Sequence, residues 1–265
     1  MIMLPVSVIE GDSPIVLANP HSGTYVPEPV SARFTSAGKR LADTDWHIDR
    51  LYDGLLPGAT VVRANFHRYV VDANRSPCNE SLYPGQNTTG LIPQTTFEGE
   101  PIWKTPATPE ESQSLVEAYH APYHLALLNQ LTRIRAQHGI ALLYDCHSIR
   151  NQLPFLFEGL LPDFNIGTND SAACDLQIEE ATFELCRKFT DRSVVVNGRF
   201  KGGWTTRHYG KPGERIHAIQ MEISQSMYLR NSLESFEYDE HSAVSLRQQL
   251  AEVLHRLESL VLSLR

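Results

Sequence analysis

The chain has few cysteines, no long apolar run and no excess of basic residues, and each absence argues against a class of protein. Its four cysteines form no CxxC pair and no disulfide-dense pattern, which favours a reducing, cytoplasmic location. The apolar runs, of about five to eight residues, are much shorter than the roughly 20 residues that span a bilayer. Acidic residues (31) outnumber basic ones (23), for a formal net charge of −8. This balance argues against nucleic acid or an anionic membrane as partner, whereas local arginines could still bind a small anionic substrate.

Several targeting and catalytic motifs are also missing. The N-terminal stretch MIMLPVSVIEGDSP has no basic segment and is not typical of a secretory signal. There is no GxSxG nucleophile turn, no HExxH helix and no Walker loop. A composition of 42% hydrophobic and 20% charged residues is ordinary for a soluble globular protein. With no repeat or obvious linker, residues 1–265 are predicted to form a single domain.

Strand-like and helix-like patterns alternate along the chain, which favours an α/β fold. The predicted strands are Ile15–Asn19, Thr60–Ala64, Arg68–Ala73, Ile140–Cys146, Pro154–Phe157, Ser193–Asn197 and Ile216–Ile223. The predicted helices are Gly38–Leu56, Pro109–His138, Ser171–Phe189 and Glu240–Leu264. Two long segments lack periodicity, Ser76–Pro106 and residues 197–215, and loops of this length in a compact domain are usually functional or disordered. The aromatic and basic residues in both segments favour ordered loops around a site.

Three predicted strands lead to side chains that could do chemistry. His21 follows the strand in LANPHSG, His147 ends IALLYDCH, and Glu222 lies near the end of IHAIQMEIS. Strand alternation places Asp145 on the same face as His147, where it could orient that ring. A lone histidine at a strand end is more often structural, and a lone buried glutamate is as often salt-bridged as catalytic. Two histidines in similar His-Ser contexts make a metal site the better interpretation.

The third ligand is predicted from helical periodicity. In RLADTDWHIDRLYDGLL an apolar stripe recurs with the 3.6-residue period, and Asp45 projects onto its edge while Asp43 points away. A carboxylate on a buried face is costly unless it is paired or binds a cation. His21, Asp45 and His147 would thus hold a zinc ion, and Glu222 would serve as general base for a metal-dependent hydrolase.

At these residues the chain resembles the N-formylglutamate amidohydrolase (N-formylglutamate deformylase) family. The resemblance covers nearly the whole length and runs, in order, through NPHSGTYVP, DTDWHIDRLYDG, RYVVDANRSP, YHAPYH, LLYDCHSIR, DFNIGTND, GGWTTRHYGKP and QMEIS. It implies a three-layer α/β/α fold with a mixed central sheet, of the zinc-peptidase (phosphorylase/hydrolase-like) type. It also implies hydrolysis of N-formyl-L-glutamate to formate and L-glutamate, a step in histidine degradation.

The resemblance assigns the metal, most simply Zn²⁺, to His21, Asp45 and His147, and the base to Glu222. Because this substrate carries two carboxylates, the site needs two-pronged donors, which favours arginine over lysine. Arg75 and Arg207 are the arginines predicted to bind substrate, with Asn74 adding a hydrogen bond. His208 or an arginine is the predicted donor to the tetrahedral oxyanion.

Three other interpretations stay open at this point. The same chemistry could act on another N-acyl amino acid or a cell-wall peptide. A Cys146–His147 nucleophilic hydrolase is disfavoured because adjacent strand residues point to opposite faces. The chain could also be a carboxylate-binding protein without catalytic activity.

Overall fold

A mixed seven-stranded sheet forms the centre of the computed structural model, which describes residues 3–82, 85, 87–230 and 235–265. Its strands are β1 (Val6–Ile9), β2 (Ile15–Asn19), β3 (Thr60–Ala64), β4 (Ala141–Ile149), β5 (Phe164–Gly167), β6 (Val194–Val196) and β7 (Ile216–Ser224). A separate two-stranded ribbon pairs β8 (Leu229–Arg230) with β9 (Glu237–Tyr238). The helices are α1 (Glu28–Ser31), α2 (Ser36–Lys39), α3 (Ile48–Tyr52), α4 (Pro109–Leu115), α5 (Ala121–His138), α6 (Leu176–Lys188), α7 (Trp204–Tyr209) and α8 (Glu240–Ser263).

The strand order is β1-β3-β2-β4-β7-β5-β6. Strands β3, β2, β4 and β7 run parallel, whereas β1 is antiparallel to β3 and β5 is antiparallel to β7. Because β2, β4 and β7 are parallel neighbours, their carboxyl ends share one edge of the sheet. In open α/β sheets this edge is where ligands bind.

Helices cover both faces of the sheet, so the predicted three-layer α/β/α fold is confirmed. One apolar core joins α3, α6 and α8 to the sheet, and the other packs α5 against the opposite face. Strand β4 alternates as predicted: Leu142 and Tyr144 belong to the first core and Ala141 and Leu143 to the second. Within the part of the chain that the structure describes, no helix is long and apolar enough to cross a membrane.

The N-terminal helix predicted over Gly38–Leu56 is wrong, because only Ile48–Tyr52 in its second half is helical beyond the short α2. Leu41 and His47 adopt left-handed backbone conformations, with φ of 51° and 58°, which a continuous right-handed helix cannot include. The Asp45 N–H donates to the His21 carbonyl (3.1 Å) rather than within a helix. A long-range contact therefore overrides the local helical periodicity here.

The strands predicted at Arg68–Ala73 and Pro154–Phe157 are also wrong, since both segments form turns. The Val70 N–H donates to the His67 carbonyl, and the Leu156 N–H donates to the Leu153 carbonyl. Such bonds between residues three apart close turns rather than a strand ladder. The structure adds four strands that the sequence does not predict: β1, β5, β8 and β9.

The remaining helices follow the prediction closely. Pro109–His138 is helical throughout, as α4, a π-helical turn at Val116–His120, and α5. It begins with a capping box in which Thr108 Oγ1 accepts from the Glu111 N–H (3.2 Å) and Glu111 Oε2 accepts from the Thr108 N–H (2.7 Å). Helix α8 nearly matches its predicted range, whereas α6 begins at Leu176, five residues later than predicted.

Candidate metal centre and active site

Two histidines and one aspartate converge at the carboxyl edge of the sheet. His21 lies two residues after β2, and His147 lies near the end of β4. Asp45 Oδ2 is 3.2 Å from His147 Nδ1 and 3.8 Å from His21 Nδ1. One ligand atom from each of the three lies within 4.8 Å of the others, and all three side chains are buried. The structure thus brings together the three residues predicted to bind metal.

The backbone fixes Asp45 in this position although it lies in a turn. Its N–H donates to the His21 carbonyl, and its Oδ2 accepts from the Ser148 N–H (3.0 Å). Burial acts to raise the pKa of Asp45, but the hydrogen bond from His147 and the positive charges nearby outweigh it, so the pKa lies below its ordinary value. Asp45 is therefore held as an anion.

A second carboxylate lies behind each histidine. His21 Nε2 is 2.7 Å from Asp72 Oδ1, and His147 Nε2 is 3.1 Å from Asp145 Oδ2. Each ring therefore presents Nδ1 to Asp45 while Nε2 faces a carboxylate, an arrangement that orients metal-binding histidines in proteins. Asp145 also lies on the predicted face of β4.

The charges around the two histidines differ. Burial lowers the pKa of His21, and the positive charge of Arg68 acts in the same direction. Burial would also lower the pKa of His147, but Asp145 and Asp45 raise it well above its ordinary value. Asp145 is fully buried, and the ion pair with His147, whose Nε2 lies 3.1 Å from Asp145 Oδ2, compensates its charge. Positive charge at this position, from a proton or a metal ion, thus stabilises the buried acid.

Arg68 is a residue of the site that the sequence prediction missed. Its Nη2 donates to Asp72 Oδ2 (2.6 Å), and its Nη1 lies 3.3 Å from His21 Nδ1 and 3.8 Å from Asp45 Oδ1. Only 5% of Arg68 is exposed. An arginine four residues before an aspartate within the apolar run RYVVD was a signal of a buried ion pair, but that run was interpreted as a strand.

Glu222 lies beside His147, because the two residues are partners in the parallel β4–β7 pairing. Its Oε2 accepts from Gln220 Nε2 (3.1 Å), and Gln220 Oε1 accepts in turn from the Gly203 N–H (2.7 Å). Burial raises the pKa of Glu222 to about 7. A carboxyl group with such a pKa can both take up and release a proton near neutral pH.

Four of these residues, His21, Arg68, His147 and Glu222, line a pocket that opens to solvent. Its described lining comprises His21, Arg68, Asn74, Arg75, Leu82, Asn87, Thr88, Thr89, Phe97, His147, Ser148, Ile149, Leu156, Arg199, Phe200, Gly203, Gln220 and Glu222. Both predicted site loops contribute to it, although residues 83, 84 and 86 of the first loop lie outside the described part of the chain. The pocket therefore joins two of the three predicted metal ligands, His21 and His147, to the predicted base.

The predicted substrate-binding residues lie in different places. Arg75 lines the pocket, where its Nε donates to the Thr89 carbonyl (2.7 Å), and Asn74 Nδ2 lies 3.1 Å from His147 Nε2. Arg207 lies on α7, where its Nε donates to the Gly202 carbonyl (2.9 Å), and it is not among the described lining residues.

Two other predicted groups lie outside this described lining. His208 stacks on the Trp204 ring, with centroids 4.3 Å apart. Cys146 belongs to the first core, with Leu142 and Tyr144. Burial there raises the pKa of its thiol well above the ordinary value. A neutral buried thiol is a poor nucleophile, which argues against the Cys–His hydrolase.

Comparison with known proteins identifies the family of this chain. The sequence profile of the N-formylglutamate amidohydrolase family matches residues 13–229. N-formylglutamate deformylase of Pseudomonas putida is 44% identical over 251 residues, 94% of this chain and 93% of that protein. The enzyme of the same name from Pseudomonas aeruginosa is 42% identical over 246 residues, 91% of this chain and 88% of that protein.

A crystal structure gives the same result at the level of the fold. N-formylglutamate amidohydrolase from Ralstonia eutropha superposes with a TM-score of 0.81 at 26% identity, covering 98% of both chains. Sequence and structure agree along nearly the whole length, and the chain therefore belongs to the N-formylglutamate amidohydrolase family.

Proposed function

We propose that this protein hydrolyses N-formyl-L-glutamate to formate and L-glutamate with the help of a divalent metal ion, as a step of histidine degradation. The observation that carries the proposal is the convergence of His21, Asp45 and His147 within 4.8 Å, beside a pocket that His21, His147 and Glu222 line. The names of its relatives support the substrate.

The three side chains fit a zinc ion. Two imidazole nitrogens and one carboxylate oxygen form a donor set typical of catalytic zinc, whereas Mg²⁺ and Ca²⁺ prefer oxygen ligands alone. The carboxylates of Asp72 and Asp145 at the far ring nitrogens complete the usual surroundings of zinc-binding histidines. When bound, such an ion supplies Lewis acidity to the formyl carbonyl and to water.

The protein's own side chains would then move the protons. Glu222 takes a proton from water as the water oxygen attacks the formyl carbon, and later gives it to the amide nitrogen as the C–N bond breaks. Arg68 is the proposed donor to the tetrahedral oxyanion, because it lines the pocket and its Nε has no hydrogen-bond partner among the described residues. Formate and glutamate are the two products.

Arginines in the pocket wall would bind the substrate carboxylates. Arg75 and Arg199 both line the pocket, and Asn74 lies between Arg75 and the metal-binding His147. A guanidinium can form two parallel hydrogen bonds to a carboxylate. Arg207 remains a candidate for this role from the sequence alone.

We expect Arg75→Lys to raise KM for N-formylglutamate by about 10- to 100-fold, since a hydrogen bond to a charged group contributes about 1.5–3 kcal/mol. Steady-state formate release measures the effect. Arg187→Lys is the matched control, because Arg187 pairs with Glu184 on the exposed surface of α6. The same substitution at Arg207 decides whether that residue also binds substrate, and an unchanged KM in Arg75→Lys would remove Arg75 from the site.

The decisive experiment combines metal removal with a substrate series. Protein treated with a chelator is expected to lose formate release from N-formylglutamate and to regain it when Zn²⁺ is added back. N-acetylglutamate and short peptides, assayed in parallel, test the alternative substrates. Full activity after complete metal removal contradicts the metal-dependent mechanism, and tight substrate binding without turnover favours a binding protein.

A further inference from the structure

The segment YHAPYH, residues 119–124, takes no part in the mechanism above, yet it adopts an unusual backbone conformation. The helix forms a π turn at Val116–His120, in which the Ala121 N–H donates to the Val116 carbonyl five residues earlier. Pro122 follows and has no N–H to donate within the helix. Single π turns of this kind occur frequently at functional sites.

The two histidines of this segment face the backbone on either side of Asn74. His120 Nε2 is 2.9 Å from the Arg75 carbonyl, and His124 Nε2 is 2.8 Å from the Ala73 carbonyl. A carbonyl can only accept, so both rings must carry a proton on Nε2 and donate it. The His120 and His124 side chains are both buried.

The neighbours of His124 agree with this protonation. The single proton of the Tyr209 hydroxyl has two acceptors within reach, an unprotonated His124 Nδ1 (3.1 Å) and the His124 carbonyl (3.2 Å). Burial holds the pKa of His124 well below the ordinary value, so the ring is neutral. A neutral ring with its proton on Nε2 satisfies both contacts.

The backbone held by these histidines is irregular and carries two side chains that line the pocket, Asn74 and Arg75. Residues 73–75 lie in a turn outside the sheet, where the Arg75 N–H donates to the Asp72 carbonyl (3.2 Å). Asn74 is fixed further, because its Oδ1 accepts from the Thr205 N–H (2.9 Å). A turn without strand partners takes its orientation from such side-chain bonds.

We propose that His120 and His124 are positioning residues, which hold the Ala73–Arg75 backbone so that Asn74 and Arg75 face the substrate. This inference rests on the proposed function, because it takes Asn74 and Arg75 to bind N-formylglutamate. Neither histidine contacts the substrate itself. Their effect is on the geometry of binding, and neither histidine belongs to the ligand cluster of His21, Asp45 and His147.

The test uses a pair of unbranched side chains of similar length at His120. Glutamine can place an N–H donor where Nε2 lies, whereas methionine fills similar space without one. We expect His120→Met to raise KM for N-formylglutamate by about tenfold or more, with a smaller change in kcat and an unchanged metal content. His120→Gln is expected to restore KM to near the wild-type value.

A wild-type KM in His120→Met overturns the proposal, and so does an equal rise in KM for both variants, because the ring's volume rather than its N–H would then matter. If His120→Met does not fold, as shown by circular dichroism, the same pair of substitutions at His124 decides by the same criteria. Failure of the proposed function would appear earlier, as absence of formate release by the wild-type protein, and the positioning role would fall with it.

Discussion

Replacing Glu222 with glutamine is expected to lower kcat for N-formylglutamate by about 100- to 10 000-fold, the usual contribution of a general base. The amide keeps the size of the side chain but cannot take a proton from water. Because Glu222 is not one of the three clustered ligands, the variant should retain the metal content of the wild-type protein. Formate release and metal analysis on the same preparation measure both effects.

The pH dependence of the wild-type enzyme provides a second readout for Glu222. The base must be ionised, so kcat falls as the pH is lowered through the pKa of this side chain. Burial raises that pKa to about 7 without a metal ion, and a cation held beside it would lower the pKa. We therefore expect the acid limb of the rate profile to lie below pH 7 and to disappear in Glu222→Gln.

Glu179→Gln is the matched control for this experiment. Glu179 accepts hydrogen bonds from Thr168 and Ser171 and is not among the described residues of the pocket. The substitution removes one carboxylate of the same type and should leave kcat near the wild-type value. A Glu222→Gln enzyme with wild-type kcat would assign the base to another group.

The predictions from sequence were accurate where a short pattern is sufficient. Strand alternation correctly placed Asp145 and His147 on one face of β4 and Glu222 on the corresponding face of β7, because the two-residue period depends on the backbone alone. Five of the predicted strands correspond to β2, β3, β4, β6 and β7.

The predictions failed where contacts between distant residues determine the backbone. Asp45 lies in the ligand cluster, but the helix from which it was chosen does not form, since its backbone bonds to His21 instead. Asp72 and Arg68 were missed as parts of the site because their partner His21 is about 50 residues away in the chain. Local periodicity has no information about pairs of this kind.

His21→Ala is expected to lower the affinity for zinc by more than about 100-fold, because removing a ligand should cost more than the 10- to 100-fold typical of removing a hydrogen-bond partner of a ligand. Dialysed protein would contain little metal, and formate release would be lost with it. Asp72→Asn tests the lesser effect, since it leaves the His21 ring in place and removes the carboxylate charge that faces both the His21 Nε2 and Arg68.

His217→Ala is the control for loss of a buried imidazole. His217 lies on β7, is 4% exposed, and accepts from the Asp175 N–H (3.0 Å) outside the ligand cluster. This variant should bind zinc like the wild-type protein even if its melting temperature falls, so that loss of metal is distinguished from loss of stability. Zinc bound to His21→Ala with wild-type affinity would require a different set of ligands, and the base would then have to be sought near that set rather than beside His147.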